Sequence, residues 1–373
     1  MAGLLVALVP VLVAIAFYFY FFFRRMFHTF GANTKNKWAI SGLILLAILA
    51  TFASVQMMSV VSIIMLHIVF IGLIIQFVNF IIKRIAGKKY DEKCSVWKKI
   101  YGSGIVPILL TVVVMVLGYF NLHSVVATNY TVYTDKAIRT DGYRVALIAD
   151  VHFGVSIDSE QLKQKCDEIS ANNVDFVILC GDIVDNSTTA DEMKTVFETF
   201  GGIESKYGVF YVYGNHDRPM SLLRSEYTQE ELVKVIENAG ITILQDETEI
   251  INSELALVGR EDRMSGSRDS VDSLVSVIDE DKFILVADHQ PNQYDENVQA
   301  NVDLIVSGHT HGGQLFPLNV VMNVFGINDG VYGQYQLSEN TQAIVTSGLA
   351  GWSYPVKTAA PAEYVIIDIV PNK

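Results

Sequence analysis

The sequence predicts two architectures in one chain: an all-α membrane domain of four transmembrane helices over residues 1–123, then an α/β domain over residues 124–373. Three observations lead there. Charge divides the chain, since residues 1–123 hold eleven Lys/Arg against two acids, a net of +9. The whole chain carries −13, so residues 124–373 carry −22. Four long apolar stretches lie in the basic part. Beyond them, short β-branched runs alternate with stretches of helical periodicity, the pattern of an α/β domain.

The apolar stretches are Leu4–Phe23, Trp38–Met58, Val60–Ile82 and Gly104–Phe120. The first three reach the ~20 residues that a bilayer core requires. The fourth is shorter, free of charge and flanked by Tyr101, Tyr119 and Phe120. The first is no ordinary secretory signal, because Arg24 and Arg25 follow its apolar run instead of preceding it. Basic loops stay cytoplasmic. The loop after the first stretch and the loop after the third hold all eleven Lys/Arg, and the turn near Gln56–Ser59 holds none. This predicts a multi-pass protein of the cell membrane with its acidic domain on the extracytoplasmic side. If the fourth stretch does not span, the domain faces the cytoplasm. His67 lies within the third stretch with no acidic partner in the others, which predicts a neutral, helix-packed histidine.

In the acidic domain the predicted strands are Tyr143–Ala149, Phe176–Cys180, Val209–Tyr213, Ile241–Leu244, Leu255–Gly259, Phe283–Ala287, Leu304–Val306, Ala343–Thr346 and Tyr364–Ile369. The predicted helices are Ser159–Ala171, Ala190–Lys206 and Thr228–Ala239. The last opens on a Thr-x-x-Glu capping box, Thr228 to Glu231. Cys166 falls on a helix and Cys180 on a strand, so both read as small buried residues. With Cys94 they form no CxxC pair and no disulfide framework. So acidic a domain is a poor partner for nucleic acid, whose affinity rests on Lys and Arg.

The strand ends carry the chemistry. "RVALIAD" ends on Asp150, with His152 two residues on, and "FVILCGD" ends on Asp182. "VFYVYGN" ends on Asn215, followed by His216 and Asp217. "FILVADH" ends on His289, and "LIVSGH" on His309, with His311 following. All five histidines of the domain fall at these ends. Ligands of open α/β sheets gather beyond the carboxyl ends of strands. Carboxylate, amide and imidazole with no thiolate suit Mn, Fe, Zn or Co. Seven ligands exceed one tetrahedral site and divide between two ions bridged by a carboxylate. Two metals about 3.5–4 Å apart clamp phosphoryl oxygens and lower the pKa of a bridging water.

Taken in order, D-x-H (Asp150, His152), G-D-x-x-D (Gly181, Asp182, Asp185), G-N-H-D (Gly214–Asp217), a strand-end His289 and G-H-x-H (Gly308–His311) resemble the signature of the calcineurin-like metallophosphoesterase superfamily. The extended "GHTHGGQ" and the tail "SGLAGWSYP" are similar to its membrane-associated subgroup. The resemblance implies a four-layer αββα sandwich and two divalent ions (Mn, Zn or Fe). It implies one metal on Asp150, His152, Asp182 and His311, and another on Asp182, Asn215, His289 and His309. His216 would be the general acid. Asp185 and Asp217 would orient ligands or His216, with Asp185 open to a lesser role as a loop cap. Lys357 stands where related chains often carry Arg, which puts phosphate clamping there in doubt. The implied substrate is a phosphodiester or pyrophosphate of a membrane-associated, lipid-linked and UDP-diacylglucosamine-like kind, attacked by the metal-bridging hydroxide. Two alternatives stay open: a metallo-protein phosphatase and a non-catalytic metal-binding module. The Trp352–Tyr354 segment would touch an acyl chain or pack under the last strand.

Overall fold

The structure is a computed structural model that describes residues 2–56, 59–218 and 226–372. It divides into two compact units, Met1–Leu117 and Gly118–Lys373.

The first unit is helical: α1 (Ala2–Thr29), α2 (Lys37–Ser54), α3 (Val60–Ala86), α4 (Tyr90–Lys93), α5 (Ser95–Ser103) and the start of α6 (Ile105–His123). Four of these helices are long and apolar enough to cross a membrane. Met57 and Met58 of the charge-free turn lie outside the described residues. Asn36 and Ser59 cap α2 and α3, each accepting from a backbone N–H of the first turn. Phe19, Ala47 and Ala50 form a small packed centre, while Phe17, Ile44, Leu49 and Phe77 face outward. Apolar residues outside and small residues at the contacts are the pattern of helices packed in lipid. His67 is buried, with Nδ1 2.8 Å from the Ile63 carbonyl of its own helix.

The second unit is a sandwich of two six-stranded sheets. Its strands are β1 (Val126–Thr134), β2 (Tyr143–Ile148), β3 (Phe176–Cys180), β4 (Val209–Val212), β5 (Ile241–Ile243), β6 (Glu247–Ile251), β7 (Leu255–Gly259), β8 (Phe283–Ala287), β9 (Leu304–Ser307), β10 (Gly333–Gln336), β11 (Gln342–Val345) and β12 (Glu363–Pro371). One sheet runs β1-β12-β2-β3-β4-β5, the other β10-β11-β9-β8-β7-β6. Within them β2, β3 and β4 are mutually parallel, as are β7, β8 and β9. Helices α7 (Ser159–Ala171), α8 (Ala190–Gly201) and α9 (Gln229–Asn238) cover the first sheet. Short helices α10 (Val271–Val275) and α11 (Tyr294–Gln299) cover the second, and α12 (Leu318–Phe325) follows.

Side-chain alternation explains the layers. Val145 and Leu147 of β2 point between the sheets, and Ala146 and Ile148 point at the helices. Phe283 and Leu285 of β8 do the same against Ile284 and Val286. Strands β2 and β8 are therefore apolar on both faces, which is why such core strands read as continuous hydrophobic runs. All nine expected strands are present within two residues of their expected bounds. Of the helices, α7 is as expected, and α9 keeps the Thr228–Glu231 capping box. Helix α8 stops at Gly201, short of Lys206, because Gly201 and Gly202 end it before the turn into β4.

Candidate metal centre

Parallel pairing of β2, β3 and β4 sends their carboxyl ends to one edge. Parallel pairing of β8 and β9 does the same in the facing sheet. The loops beyond these five ends meet. Asp150 N–H donates to the Gly181 carbonyl at 3.0 Å, and Gly308 N–H donates to the His289 carbonyl at 3.0 Å. Close approach needs glycine here: a Cβ on Gly308 would lie 2.6 Å from Asp150 Oδ2 and 2.6 Å from Ala149 Cβ.

Two groups of ligand-type side chains result. Asp150, His152 and His311 form one; Asp182, His289 and His309 form the other. Asp182 stands between them, with Oδ2 3.2 Å from His289 Nε2 and 3.8 Å from His152 Nε2. Asn215 Oδ1 lies 2.8 Å from His309 Nδ1, so it joins the second group. His311 Nε2 lies 3.5 Å from Asp150 Oδ1. The structure thus brings together all seven residues named from sequence as metal ligands.

The ring nitrogens fit divalent ions. His152 Nδ1 lies 3.1 Å from Asp185 Oδ2, which makes Nδ1 the protonated nitrogen and leaves a lone pair on Nε2. That Nε2 faces His311 Nε2 at 3.2 Å. His289 Nδ1 meets the Cys180 carbonyl at 2.8 Å, and its buried Nε2 has no hydrogen-bond partner. Imidazole nitrogens and carboxylate oxygens converging away from water are a donor set that fits divalent cations.

The electrostatics divide the histidines: burial alone would lower His152 and His289, but Asp185 beside the first and Asp182 beside the second raise them, as a positive charge at the centre is drawn to its carboxylates. Burial pushes the Asp150 carboxyl up to about 6. Burial would also raise Asp182, but His289 and then His152 outweigh it and hold that carboxyl far below the usual range. His309 is pushed down to about 4, chiefly by burial and then by His289. His311 is lowered by burial and the neighbouring His152. Burial lowers His216 as well, with Asp182 pulling the other way. A neutral imidazole is the form that ligates metal.

Backbone conformation marks the same residues. Asp150, His152, Asp182, His309 and His311 all have positive φ, between 40° and 71°. For residues other than glycine this conformation is costly and persists where the surroundings over-determine it. Asp217 supplies part of that determination. Its carboxylate accepts from the N–H groups of Asp182 and Gly214 at 2.7 Å, and from Ile183 and Val184. It orients the Asp182 loop and Gly214, and it makes no contact with His216 of that kind.

Three expectations need correction or sharpening. Lys357 is no phosphate clamp. It is wholly buried, and its ammonium donates to the carbonyls of Ser347 and Ala350, bracing the turn that wraps Asp150. Trp352, half-buried, takes a more definite place than the expectation for the Trp352–Tyr354 segment gave it. Its Nε1–H donates to Asp185 Oδ2 at 3.1 Å, and its ring lies 5.2 Å from that of His216. Asp185 is more than a loop cap: one oxygen receives His152 and Trp352, and lies 3.8 Å from His216 Nδ1. Sequence reasoning missed Trp352 as a site residue because 167 residues separate it from Asp185. Its aromatic neighbourhood in "GWSYP" was the only signal.

Residues 143–313 match the family model for calcineurin-like phosphoesterases. That span contains every ligand-type residue described above. This region is similar to the calcineurin-like phosphoesterases. Relatives include a metallophosphoesterase from Helicobacter pylori, 27% identical over 65% of this chain and 63% of its own length. Another is a transmembrane protein with a metallophosphoesterase domain from Danio rerio, 26% identical over 60% of this chain and 52% of its own. The match thus spans less than two thirds of either relative. A solved dimetal phosphatase from Danio rerio is 14% identical over 56% of this chain and 88% of its own, at a TM-score of 0.39, a loose likeness. In this chain the matched region follows, in sequence, four helices long and apolar enough to cross a membrane.

Proposed function

We propose that the chain is a membrane-anchored, dinuclear metal-dependent phosphoesterase. The observation that carries this is the pair of ligand groups on either side of Asp182. In this reading Asp150, His152, Asp182 and His311 hold one ion, and Asp182, Asn215, His289 and His309 hold the other. Two such ions supply Lewis acidity toward phosphoryl oxygens and lower the pKa of water at their shared face.

The chain's own residues do the rest. Asp185 and the Cys180 carbonyl fix the rings of His152 and His289 through their Nδ1 atoms, setting which nitrogen faces inward. Asp217 holds the Asp182 loop. His216 is the proton donor to the leaving oxygen. Its side chain is only 22% exposed, at the rim of the site and packed against Trp352, so it reaches a bound ester while water is partly excluded.

The substrate is a phosphodiester or pyrophosphate carried by an amphiphile, such as a lipid-linked, UDP-diacylglucosamine-like compound. Four helices able to cross a membrane support that class, because they would tether the chain to the membrane in which an amphiphilic substrate resides. The distribution of Lys and Arg supports a multi-pass cell-membrane protein with the site on the extracytoplasmic side. The test is hydrolysis by the full-length chain, stripped of metal and resupplied with Mn²⁺, Zn²⁺ or Fe²⁺. Bis-p-nitrophenyl phosphate, p-nitrophenyl phosphate and a lipid pyrophosphate are the substrates. Metal-dependent turnover, fastest on the lipid substrate, is the expected result. Metal bound without turnover of any of the three would end the catalytic reading.

A further inference from the structure

Helix α12 begins seven residues after His311, with Gly313 packed against Asn319 near its start. It reads LNVVMNVF and ends on Gly326 in the left-handed conformation. Leu318, Val321 and Phe325 lie three to four residues apart and share a face. None of them is buried, and Val324 and Phe325 are 73% and 75% exposed. Phe316 and Ile327 extend the patch at either end. From Gly312 to Asn328 there is no charged residue, in a domain that is otherwise strongly acidic. A contiguous apolar surface of this kind is uncommon in water.

The domain itself indicates what covers it. Residues Gly118–His123 are the last turns of the fourth apolar helix and belong to the phosphoesterase unit. Lys357 N–H donates to the Gly118 carbonyl at 2.9 Å, and Ala362 N–H to the Asn121 carbonyl at 2.7 Å. Thr358 N–H donates to the Gln314 carbonyl at 2.7 Å, and Phe316 N–H to Thr358 Oγ1 at 2.9 Å. Two hydrogen-bonded steps thus tie the base of α12 to Gly118. Gly118 lies five residues before the helix end, about 7.5 Å along the axis at about 1.5 Å per residue. That is about the depth of the polar headgroup layer of one leaflet.

We propose that α12 is an interfacial helix, its Leu318–Phe325 face seated at the headgroup–acyl boundary of the bilayer that the fourth helix spans. The occupant is lipid. An uncharged, strongly apolar face suits that boundary. The seat holds the loop carrying His309 and His311 at the membrane surface, where an amphiphilic phosphoester presents its headgroup. The inference rests on the membrane-anchored reading but not on turnover.

The test is site-directed spin labelling of the full-length chain in phosphatidylcholine–phosphatidylglycerol vesicles. Labels go on V113C, V277C and V324C in a C94S background, since Cys166 and Cys180 are buried. Val113 is exposed on the fourth helix, and Val277 is 83% exposed two residues beyond α10. Accessibility is measured to oxygen, which partitions into lipid, and to a nickel chelate, which stays in water. The expected result is an oxygen-to-nickel ratio at 324 severalfold above that at 277 and shifted toward that at 113. A lipid-like 113 with a water-like 324 would overturn the inference and leave the anchor standing. A water-like 113 would overturn both. Low accessibility to both reagents at 324, with spectral broadening lost on dilution with unlabelled protein, would assign the patch to a second copy and overturn the lipid occupant.

Discussion

Five residues of this site, Asp150, His152, Asp182, His309 and His311, hold a backbone conformation that side chains disfavour. They hold it because glycines let neighbouring loops close in and Asp217 gathers four N–H groups. His216 differs. It is no ligand in the proposed centre, so His216→Asn is expected to lower turnover by about 10²–10⁴ while leaving metal content intact. Kinetics and elemental analysis on one preparation check both halves. Asp303 offers a test away from the metals. Burial pushes its carboxyl up to about 6, although it accepts from Ile284 N–H at 2.7 Å. Between about 3.9 and that value the folded chain holds a proton that the unfolded chain releases, so stability is lost as pH rises through this window. Asp303→Asn keeps the acceptor without the charge. It should stabilise at pH 7.5 by at most about 3 kcal/mol and change little at pH 4, as read by Trp352 fluorescence in urea with Trp38 and Trp97 replaced by Phe. The ligand-type residues were legible from sequence because they end hydrophobic runs. The bracing by Lys357 and the anchoring by Trp352 were not, because they depend on contacts between distant segments.

At the scale of elements, the parallel strands do the positioning. A run apolar on both faces can only be a central strand, so β2, β3, β4, β8 and β9 were all legible. The missed strands β1, β6 and β10 are partly exposed, with polar residues interleaved, and all three lie at sheet edges. Helices α10 and α11 are about one turn long, too short to show a period. Helix α12 went unread because its lack of charge masks the amphipathic signal. The turn after β9 gives an element-scale prediction. Gly308→Ala puts a methyl group against Asp150 Oδ2. The loop must shift, so the variant should fold with an unchanged circular dichroism spectrum yet lose metal affinity by at least tenfold, of the order found when groups that orient ligands are removed. Metal titration by calorimetry reads this.

At the scale of the molecule, the proposed ions join two sheets. Ligands come from β2, β3 and β4 on one side and from β8 and β9 on the other. Metal therefore contributes to the stability of the whole sandwich. A chelator should lower the thermal midpoint of the phosphoesterase unit, with recovery on resupply. At a thousandfold excess over Kd, binding adds about 4 kcal/mol. The same treatment should leave the helical signal of the N-terminal unit unchanged. Charge asymmetry and apolar length made the two-part plan legible. The way short loops from both sheets interlock at one edge was not, since parallel order cannot be read from strand composition.

Asp182 is the residue on which the dinuclear reading turns, because its carboxylate lies near His152 of one ligand group and His289 of the other. The decisive measurement is metal stoichiometry by mass spectrometry on the full-length chain beside Asp182→Asn, after equilibration with Mn²⁺ and desalting. Two ions per wild-type chain, with at most one retained by the variant and turnover lost, is the predicted result. A wild-type chain that holds no metal, or a variant that keeps both ions, would contradict it.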